Sequence, residues 1–289
     1  MIFREMIVQK AYAKINIGLD IKGLRQDRYH EIDTIMQTVE LGDRITFTEK
    51  EKGIHFWCDD YSIKQNENTA YLAAKLFMKE MGIQQGIKID LYKTIPVFAG
   101  LGGGSSDAAA VLRGLNYIFK TNLSYNDLEK MSLMIGADVP FCIRGGTQRV
   151  NGKGEVLRPL KDFSDVWFVI IKPKDSVETV WAYKEYDKLS DLIRPDMDLI
   201  QSLLEKRDIE GLKGNVVNIF EKAVIPHKPS IQSAIEDLSE TDAVTVFMTG
   251  SGAAVAAIYS EMRLASMAYA SLSRKHDDIY ITKTSGGLK

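Results

Sequence analysis

The chain has 289 residues, of which 45% are hydrophobic and 26% are charged, and its formal net charge is -2. This composition is typical of an ordinary folded protein and excludes a disordered or low-complexity chain. Because 37 basic residues nearly balance 39 acidic ones, the overall charge gives no reason to expect a nucleic-acid or membrane partner.

Cysteines, histidines and apolar runs indicate the class of protein and its compartment. Cys58 and Cys142 show no CxxC spacing, and the 4 histidines show no ligand spacing, so neither a disulfide framework nor a protein-held zinc site is predicted. Arg4 and Glu5 stand where a signal peptide would have its apolar core, and the longest apolar run, 166–171, is too short to cross a bilayer. We therefore expect a soluble, cytoplasmic protein, with no oligomeric partner predicted.

The first half of the chain is predicted to mix strands and helices. Apolar residues alternate from Ala13 to Ile21, which predicts a half-buried strand whose polar face carries Lys14 and Asn16. The elements predicted after it are a strand at 44–48, a helix that follows Asn68 and ends at Gly82, a strand at 87–91, a helix capped by Ser105 or Ser106, and a helix from Ser124 to Gly136.

The second half is predicted to begin near Pro159. Its predicted strands are 166–171, 243–248, 255–259 and 278–282, and its predicted helices are 179–187, 197–206 and 230–239. Because strands and helices mix without strict βαβ alternation, the predicted fold class is α+β, with domains at residues 1–158 and 159–289.

A glycine-rich segment, PVFAGLGGGSSD at 96–107, is the most informative part of the sequence. Glycines at 100, 102, 103 and 104 let backbone N–H groups converge on an anion, and the helix start that follows favours a phosphate. The alternative is a tight strand-to-helix turn. A P-loop is excluded because no Lys-Ser or Lys-Thr pair follows the glycines, and a Rossmann turn is poorly matched because no acidic residue ends a following strand.

This segment resembles the ATP-binding motif of the GHMP kinase superfamily. Residues 13–19 (AKINIGL) are similar to the first motif of that superfamily, and residues 248–253 (MTGSGA) to its third. The resemblance implies a two-domain fold in which ATP and an alcohol substrate meet in the interdomain cleft, with Mg²⁺-ATP as the phosphoryl donor. The nucleotide-binding residues that it implies are Pro96, Gly100, Leu101, Gly102, Gly103, Gly104, Ser105 and Ser106.

The same resemblance implies a catalytic pair. Residues 135–142 (IGADVPFC) are similar to the segment that carries the catalytic aspartate, so Asp138 is expected to accept the proton of the substrate hydroxyl. Lys14 is expected beside that carboxylate and the γ-phosphate. From spacing alone, Lys14 would be a solvated strand residue and Asp138 a loop cap before Pro140.

Residues 27–32 (DRYHEI) resemble a segment of those members that phosphorylate the 2-hydroxyl of a cytidine diphosphate derivative of methylerythritol, in the non-mevalonate route to isoprenoids. Arg28 stands where the usual residue is glycine, so either the turn that presents Tyr29 and His30 is expected to differ in shape or Arg28 is expected to meet a substrate phosphate. The resemblance implies that Tyr29 stacks on cytosine and that His30 hydrogen-bonds its edge, although an exposed aromatic residue and a surface histidine are the commoner reading. The substrate-binding residues that it implies are Asn16, Tyr29, His30, Thr179, Tyr183, Gly250 and Ser251.

Two other functions are compatible with these motifs. One is a kinase for another alcohol, such as mevalonate or homoserine, or a decarboxylase that phosphorylates transiently, but such an enzyme has no use for a nucleobase pocket at Tyr29 and His30. The other is a protein that binds a ligand without catalysis, which fold alone does not exclude. Such a protein would have no need to retain both Lys14 and Asp138.

Overall fold

The computed structural model of the chain describes residues 6–190 and 192–288. Arg4 and Glu5, which bear on the expected absence of a signal peptide, lie outside these ranges. Within them, no helix combines the length and the apolar character that crossing a membrane requires.

Two sheets contain the strands of the described residues. The first sheet is built from β1 (Ile7–Leu24), β2 (His30–Lys50), β3 (Ile54–Cys58), β4 (Gly86–Tyr92), β5 (Thr147–Gly152) and β6 (Val156–Pro159). The second is built from β7 (Trp167–Ile171), β8 (Thr245–Met248), β9 (Val255–Tyr259) and β10 (Ile279–Lys283). The first sheet has the order β3-β4-β2-β5-β6 with β1 also paired to β2, and the second has the order β10-β7-β9-β8. All pairings are antiparallel except that of β3 with β4.

Helices lie between the strands in both halves of the chain. Those of the described residues are α1 (Thr69–Glu80), α2 (Gly103–Ile118), α3 (Tyr125–Ser132), α4 (Val139–Arg144), α5 (Thr179–Tyr186), α6 (Met197–Lys206), α7 (Glu221–Val224), α8 (Pro229–Ser239) and α9 (Met262–Leu272), with 3-10 turns at Gln65–Glu67, Glu210–Leu212 and Ile225–His227. The α+β class predicted from the sequence is therefore confirmed.

The strand β1 contributes to the hydrophobic cores on both sides of the molecule. Ile15 and Ile17 pack with Phe168 and Ile170 of β7, whereas α1 and α2 pack on the first sheet around Phe47. The strand β1 belongs to the first sheet, and its Ile15 and Ile17 side chains also pack against the second sheet, so β1 lies where the two sheets meet. The division into residues 1–158 and 159–289 stays a prediction.

Local capping signals locate two helix starts correctly. The side chain of Asn68 accepts a hydrogen bond from the Ala70 N–H at 3.0 Å, which begins α1. Ser124 and Asp127 form a reciprocal capping box at the start of α3. That helix ends at Ser132, however, and not at Gly136 as predicted.

Two further sequence predictions about local structure are wrong. Ser105 and Ser106 do not cap α2, because the helix begins at Gly103 after Gly102 in a left-handed conformation with φ of 68°. The strand around Lys14 and Asn16 is not half-buried, since these two residues are only 4% and 1% exposed. Other segments of the chain cover the polar face of this strand, and the sequence pattern along the strand does not reveal them.

The contact between α2 and β2 depends on the absence of a side chain at Gly114. A Cβ added there would lie 2.6 Å from Cζ of Phe47, a ring that is 1% exposed. We predict that Gly114→Ala destabilises the protein by about 1–2 kcal/mol, because overpacking outweighs the better helix propensity of alanine. Urea unfolding measures this change. Gly136→Ala is the matched control, since its Cβ would meet only Val139 at 3.5 Å. An unchanged stability of Gly114→Ala would show that Phe47 moves aside freely.

Candidate functional site

Two cavities meet at the glycine-rich loop. The first, which we call the Lys14 cavity, has a volume of about 640 Å³, and its lining includes Lys14, Asn16, Tyr29, His30, Asp138, Thr179, Tyr183, Gly250 and Ser251. The second, which we call the glycine-loop cavity, has a volume of about 460 Å³, and its lining includes Pro96, Gly100, Leu101, Gly102, Gly103, Gly104 and Ser105. Gly100, Gly102 and Ser105 line both cavities. The structure therefore brings together nearly all of the residues that the sequence motifs indicate.

Ser106 is the one predicted binding residue that lines neither cavity. Its hydroxyl donates to the Tyr12 carbonyl at 2.5 Å and lies 3.4 Å from Sγ of Cys142. Because α2 begins at Gly103, three residues before the position that a Ser105 cap would give, Ser106 lies within the helix and its hydroxyl turns toward the first sheet. Ser105 is left as the serine that faces both cavities.

The ammonium of Lys14 lies at the meeting point of two parts of the chain. Its Nζ is 2.6 Å from Oδ1 of Asn16 on the same strand and 3.4 Å from Oδ2 of Asp138 at the start of α4. The Lys14 side chain is 5% exposed and that of Asp138 is 32% exposed. A buried ammonium next to a partly exposed carboxylate is therefore available to a ligand that enters the Lys14 cavity.

The glycine-rich loop packs directly on the stem of this lysine. The Lys14 backbone N–H donates to the Leu101 carbonyl at 2.9 Å. A Cβ added at Gly102 would lie 2.8 Å from Cγ of Lys14, and the φ of 68° at Gly102 also disfavours a side chain. Glycine at 102 is thus needed for the loop to approach Lys14.

The third motif closes the site from the second sheet. The Asn16 N–H donates to Oγ1 of Thr249 at 2.9 Å. The side-chain amide of Asn218, which is 1% exposed, donates to the carbonyls of Met248 at 2.6 Å and Gly250 at 2.7 Å. Asn218 was not identified from the sequence, and it fixes the backbone that presents Gly250 to the cavity.

Aromatic side chains form another part of the wall of the Lys14 cavity. The rings of His30 and Tyr183 stack with their centroids 4.5 Å apart, and Nε2 of His30 lies 2.8 Å from Oδ1 of Asp187. The Tyr29 ring is 58% exposed beside them. Burial raises the pKa of Tyr183 to about 12, so its phenol stays neutral. This wall offers flat rings and a histidine oriented by a carboxylate.

A polar contact and a turn residue lie at the edges of this wall. Oγ1 of Thr179, the first residue of α5, lies 3.0 Å from Oγ of Ser251 in the third motif. Arg28, in the turn between β1 and β2, has a φ of 65°, which is the left-handed region that glycine favours. Glycine, which is the usual residue in the segment that residues 27–32 resemble, adopts this conformation more readily than arginine does.

A buried ionic cluster supports the glycine-loop cavity. Nζ of Lys93 lies 2.5 Å from Oδ2 of Asp43 and 2.6 Å from Oδ2 of Asp107. The pKa of Asp107 lies well above its ordinary value because burial disfavours the carboxylate, although the Lys93 ammonium opposes this effect. Asp43 also accepts the Ile95 N–H at 2.8 Å, so the cluster holds the segment that enters the loop.

Sequence reasoning missed several residues of the site because they are brought in by tertiary contacts. Lys153, Lys184 and Asp187 line the Lys14 cavity, and Lys93 lines the glycine-loop cavity. None of them belongs to a local motif with a chemical signature. Among residues 6–190 and 192–288, no group of three or more His, Cys, Asp or Glu side chains is arranged to hold a metal ion.

Comparison with known proteins places this geometry in a family context. Residues 68–146 match the GHMP kinases N terminal domain, and residues 191–277 match the GHMP kinases C terminal domain. A 4-diphosphocytidyl-2-C-methyl-D-erythritol kinase of Clostridium beijerinckii is 39% identical over 276 residues, which cover 95% of this chain and 99% of that protein. The enzyme of that name from Acetivibrio thermocellus is 38% identical over 282 residues, which cover 97% and 99% of the two chains.

Solved structures agree with these sequence matches. A crystal structure of 4-(cytidine 5'-diphospho)-2C-methyl-D-erythritol kinase superposes with a TM-score of 0.84 at 29% identity, covering 97% of this chain and 100% of that chain. A homoserine kinase from Cytophaga hutchinsonii superposes with a TM-score of 0.78 at 18% identity, covering 100% and 97% of the two chains. At that identity, the second likeness shows the fold alone.

Glu221 is a titratable group that supports the third motif from behind. Its Oε1 accepts the Met248 N–H at 2.8 Å, and burial raises the pKa of its carboxyl from 4.5 to about 7. Because the pKa in the folded protein is the higher one, the stabilising contribution of Glu221 is complete below about pH 4.5 and is lost as the pH rises through about 7.

We predict that Glu221→Gln, which retains the acceptor oxygen but cannot ionise, becomes more stable than the parent protein as the pH rises from 4.5 to 7. The gain in free energy of unfolding reaches up to about 3 kcal/mol and then levels off. Urea unfolding at several pH values measures it, with Glu240→Gln at an exposed position as the control. Parallel pH profiles for all three proteins would contradict the prediction.

Proposed function

This chain belongs to the GHMP kinase family, and from that membership we propose that it transfers the γ-phosphate of ATP to the 2-hydroxyl of 4-diphosphocytidyl-2-C-methyl-D-erythritol, a step of the methylerythritol phosphate route to isoprenoid precursors. The observation that carries the proposal is the position of Lys14 and Asp138 where two cavities meet. The glycine-loop cavity suits a nucleoside triphosphate, and the Lys14 cavity suits an acceptor that carries a flat base.

Asp138 is the proposed general base. Its carboxylate is partly exposed to the Lys14 cavity, whereas its partner Lys14 is buried, so an acceptor hydroxyl that enters this cavity meets the carboxylate. Phosphoryl transfer requires positioning and charge stabilisation more than covalent chemistry. Asp138 therefore orients the hydroxyl and takes its proton as the new P–O bond forms.

Lys14 is proposed to neutralise charge on the transferred phosphoryl group. Its ammonium is held by Asn16 and Asp138 at fixed positions, and its stem contacts Gly102 of the loop that lines both cavities. A preorganised cation in a site that excludes water stabilises developing negative charge more strongly than a mobile one in solvent. The lysine thus lies between the proposed site of the donor phosphates and the carboxylate of Asp138.

The aromatic wall is proposed to bind the cytosine base. Tyr29 and Tyr183 offer ring faces for stacking, which suits any flat base. When the Nε2–H of His30 donates to Asp187, the Nδ1 atom remains an acceptor for an amino group such as that of cytosine. Thr179 and Ser251 close this wall from the second half of the chain.

ATP is proposed to occupy the glycine-loop cavity, with its phosphates at the start of α2. The loop residues from Gly100 to Gly104 offer backbone N–H groups, and the helix start adds a favourable dipole. Mg²⁺ typically keeps several waters and binds through phosphates and one or two protein oxygens. Ser105 lines both cavities, and its hydroxyl is the protein oxygen proposed to reach the Mg²⁺ ion. The cytoplasm is the proposed compartment.

We predict ADP release when the purified protein is given Mg²⁺-ATP and the cytidyl substrate, and no release with mevalonate or homoserine. Asp138→Asn should lower kcat by about 10²–10⁴-fold with little change in the KM for ATP, because it removes the base but not the nucleotide site. A coupled assay of ADP measures both constants.

Asp165→Asn serves as the matched control, since that carboxylate is 79% exposed and lines neither cavity. Turnover of mevalonate or homoserine in place of the cytidyl substrate would overturn the proposed acceptor. Full activity of Asp138→Asn would overturn the proposed base.

A further inference from the structure

Three cations that line the Lys14 cavity form no ion pair with a carboxylate of the described residues, although Lys153 interacts electrostatically with Asp27 at longer range. They are Arg28, Lys153 and Lys184, and no carboxylate in the described residues lies within 4.0 Å of their charged groups. Neighbouring cations outside this lining are neutralised: Arg25 pairs with Glu31 at 2.6 Å, and Lys188 pairs with Glu185 at 2.6 Å. The charges that face the cavity are thus left available to a ligand.

Two of these cations come from turns that also contribute to, or contact, the proposed base-stacking residue Tyr29. Arg28 directly precedes Tyr29 in the turn between β1 and β2, which is closed by a hydrogen bond of 2.8 Å from the Arg25 N–H to the Tyr29 carbonyl. Nζ of Lys153, in the turn between β5 and β6, lies 4.7 Å from the centroid of the Tyr29 ring. Separate hairpins of the same sheet therefore contribute Arg28 and Lys153 to the cavity lining that also contains Tyr29.

The charge balance of the cavity differs from that of the whole chain. The chain carries a formal net charge of -2. The charged side chains that line the cavity are the cationic Lys14, Arg28, Lys153 and Lys184 and the acidic Asp138 and Asp187. Asp138 lies next to Lys14 and Asp187 next to His30. An excess of two positive charges thus faces a ligand, and a diphosphate diester carries two negative charges.

We propose that Arg28 and Lys153 bind the diphosphate of the acceptor, next to the base held by Tyr29. This inference rests on the proposed function, because it assumes an acceptor in which a diphosphate joins a nucleoside to the reacting alcohol. The guanidinium of Arg28 presents a planar set of donors that matches two phosphate oxygens, and the Lys153 ammonium adds a point charge. The two residues determine the preference of the cavity for a nucleoside diphosphate over a bare nucleoside.

Arg28→Gly provides a test with little risk to folding, because glycine adopts the φ of 65° at this position more readily than arginine does. We expect the KM for the cytidyl substrate to rise roughly tenfold in Arg28→Gly and in Lys153→Gln, with kcat and the KM for ATP unchanged. Arg28→Lys should recover part of the loss because it retains the charge. Lys188→Gln removes one positive charge outside the cavity and should leave every constant unchanged.

Competition with cytidine and with cytidine diphosphate separates the phosphate contact from the base contact. In the parent protein, cytidine diphosphate should inhibit more strongly than cytidine, and the Arg28→Gly, Lys153→Gln double variant should lose most of that difference. Equal weakening of both inhibitors would overturn the proposal, because it would indicate a misplaced Tyr29. A parent protein that turns over the cytidyl substrate, with variants that match it, would overturn the diphosphate site and leave the proposed function intact.

A parent protein that does not turn over the cytidyl substrate would overturn the proposed function. The diphosphate site would still be supported in that case if cytidine diphosphate bound more tightly than cytidine and if Arg28→Gly removed the difference. Calorimetric titration with the two nucleotides measures this directly and needs no turnover.

Discussion

The buried ammonium of Lys14 is the constraint on which the rest of the site depends. Removing an ammonium from water is costly, so a buried lysine requires hydrogen bonds and a counter-charge. Asn16 supplies an oxygen at 2.6 Å, and Asp138 supplies a carboxylate at 3.4 Å. Because these partners come from a strand and from the start of a helix distant in the chain, the ammonium keeps β1 and α4 in one arrangement. That arrangement presents the proposed base to the acceptor cavity.

The same lysine couples the two cavities. Its stem lies against Gly102 and its backbone N–H bonds to Leu101, so the loop that faces the nucleotide also contacts the residue that faces the acceptor. Behind the loop, Lys93 bridges Asp43 and Asp107, and Asn218 holds the third motif from the other side. A displacement of any of these supports would change the position of the loop relative to Lys14. The proposed donor and acceptor sites are therefore linked through one strand.

The proposed recognition of the acceptor depends on local charge, since the overall charge is nearly balanced. A chain with a net charge of -2 has no strong field to attract polyanions, yet the Lys14 cavity has an excess of cations. Those cations stay available because nearby carboxylates pair with other groups, such as Glu31 with Arg25. Such an arrangement suits small phosphorylated ligands in a cleft, where a few fixed charges act at short range.

The sequence by itself determined the helix caps at Asn68 and Ser124, the glycine-rich loop and the motifs that carry the proposed catalytic pair, because each depends on residues close together in the chain. It did not reveal the burial of Lys14, the turn of Ser106 toward Tyr12, or the pairing of His30 with Asp187. Only the tertiary structure decided these features. His30 and Asp187 are 157 positions apart, and a contact over such a separation is created by the packing of the end of α5 against the start of β2, which no local pattern records.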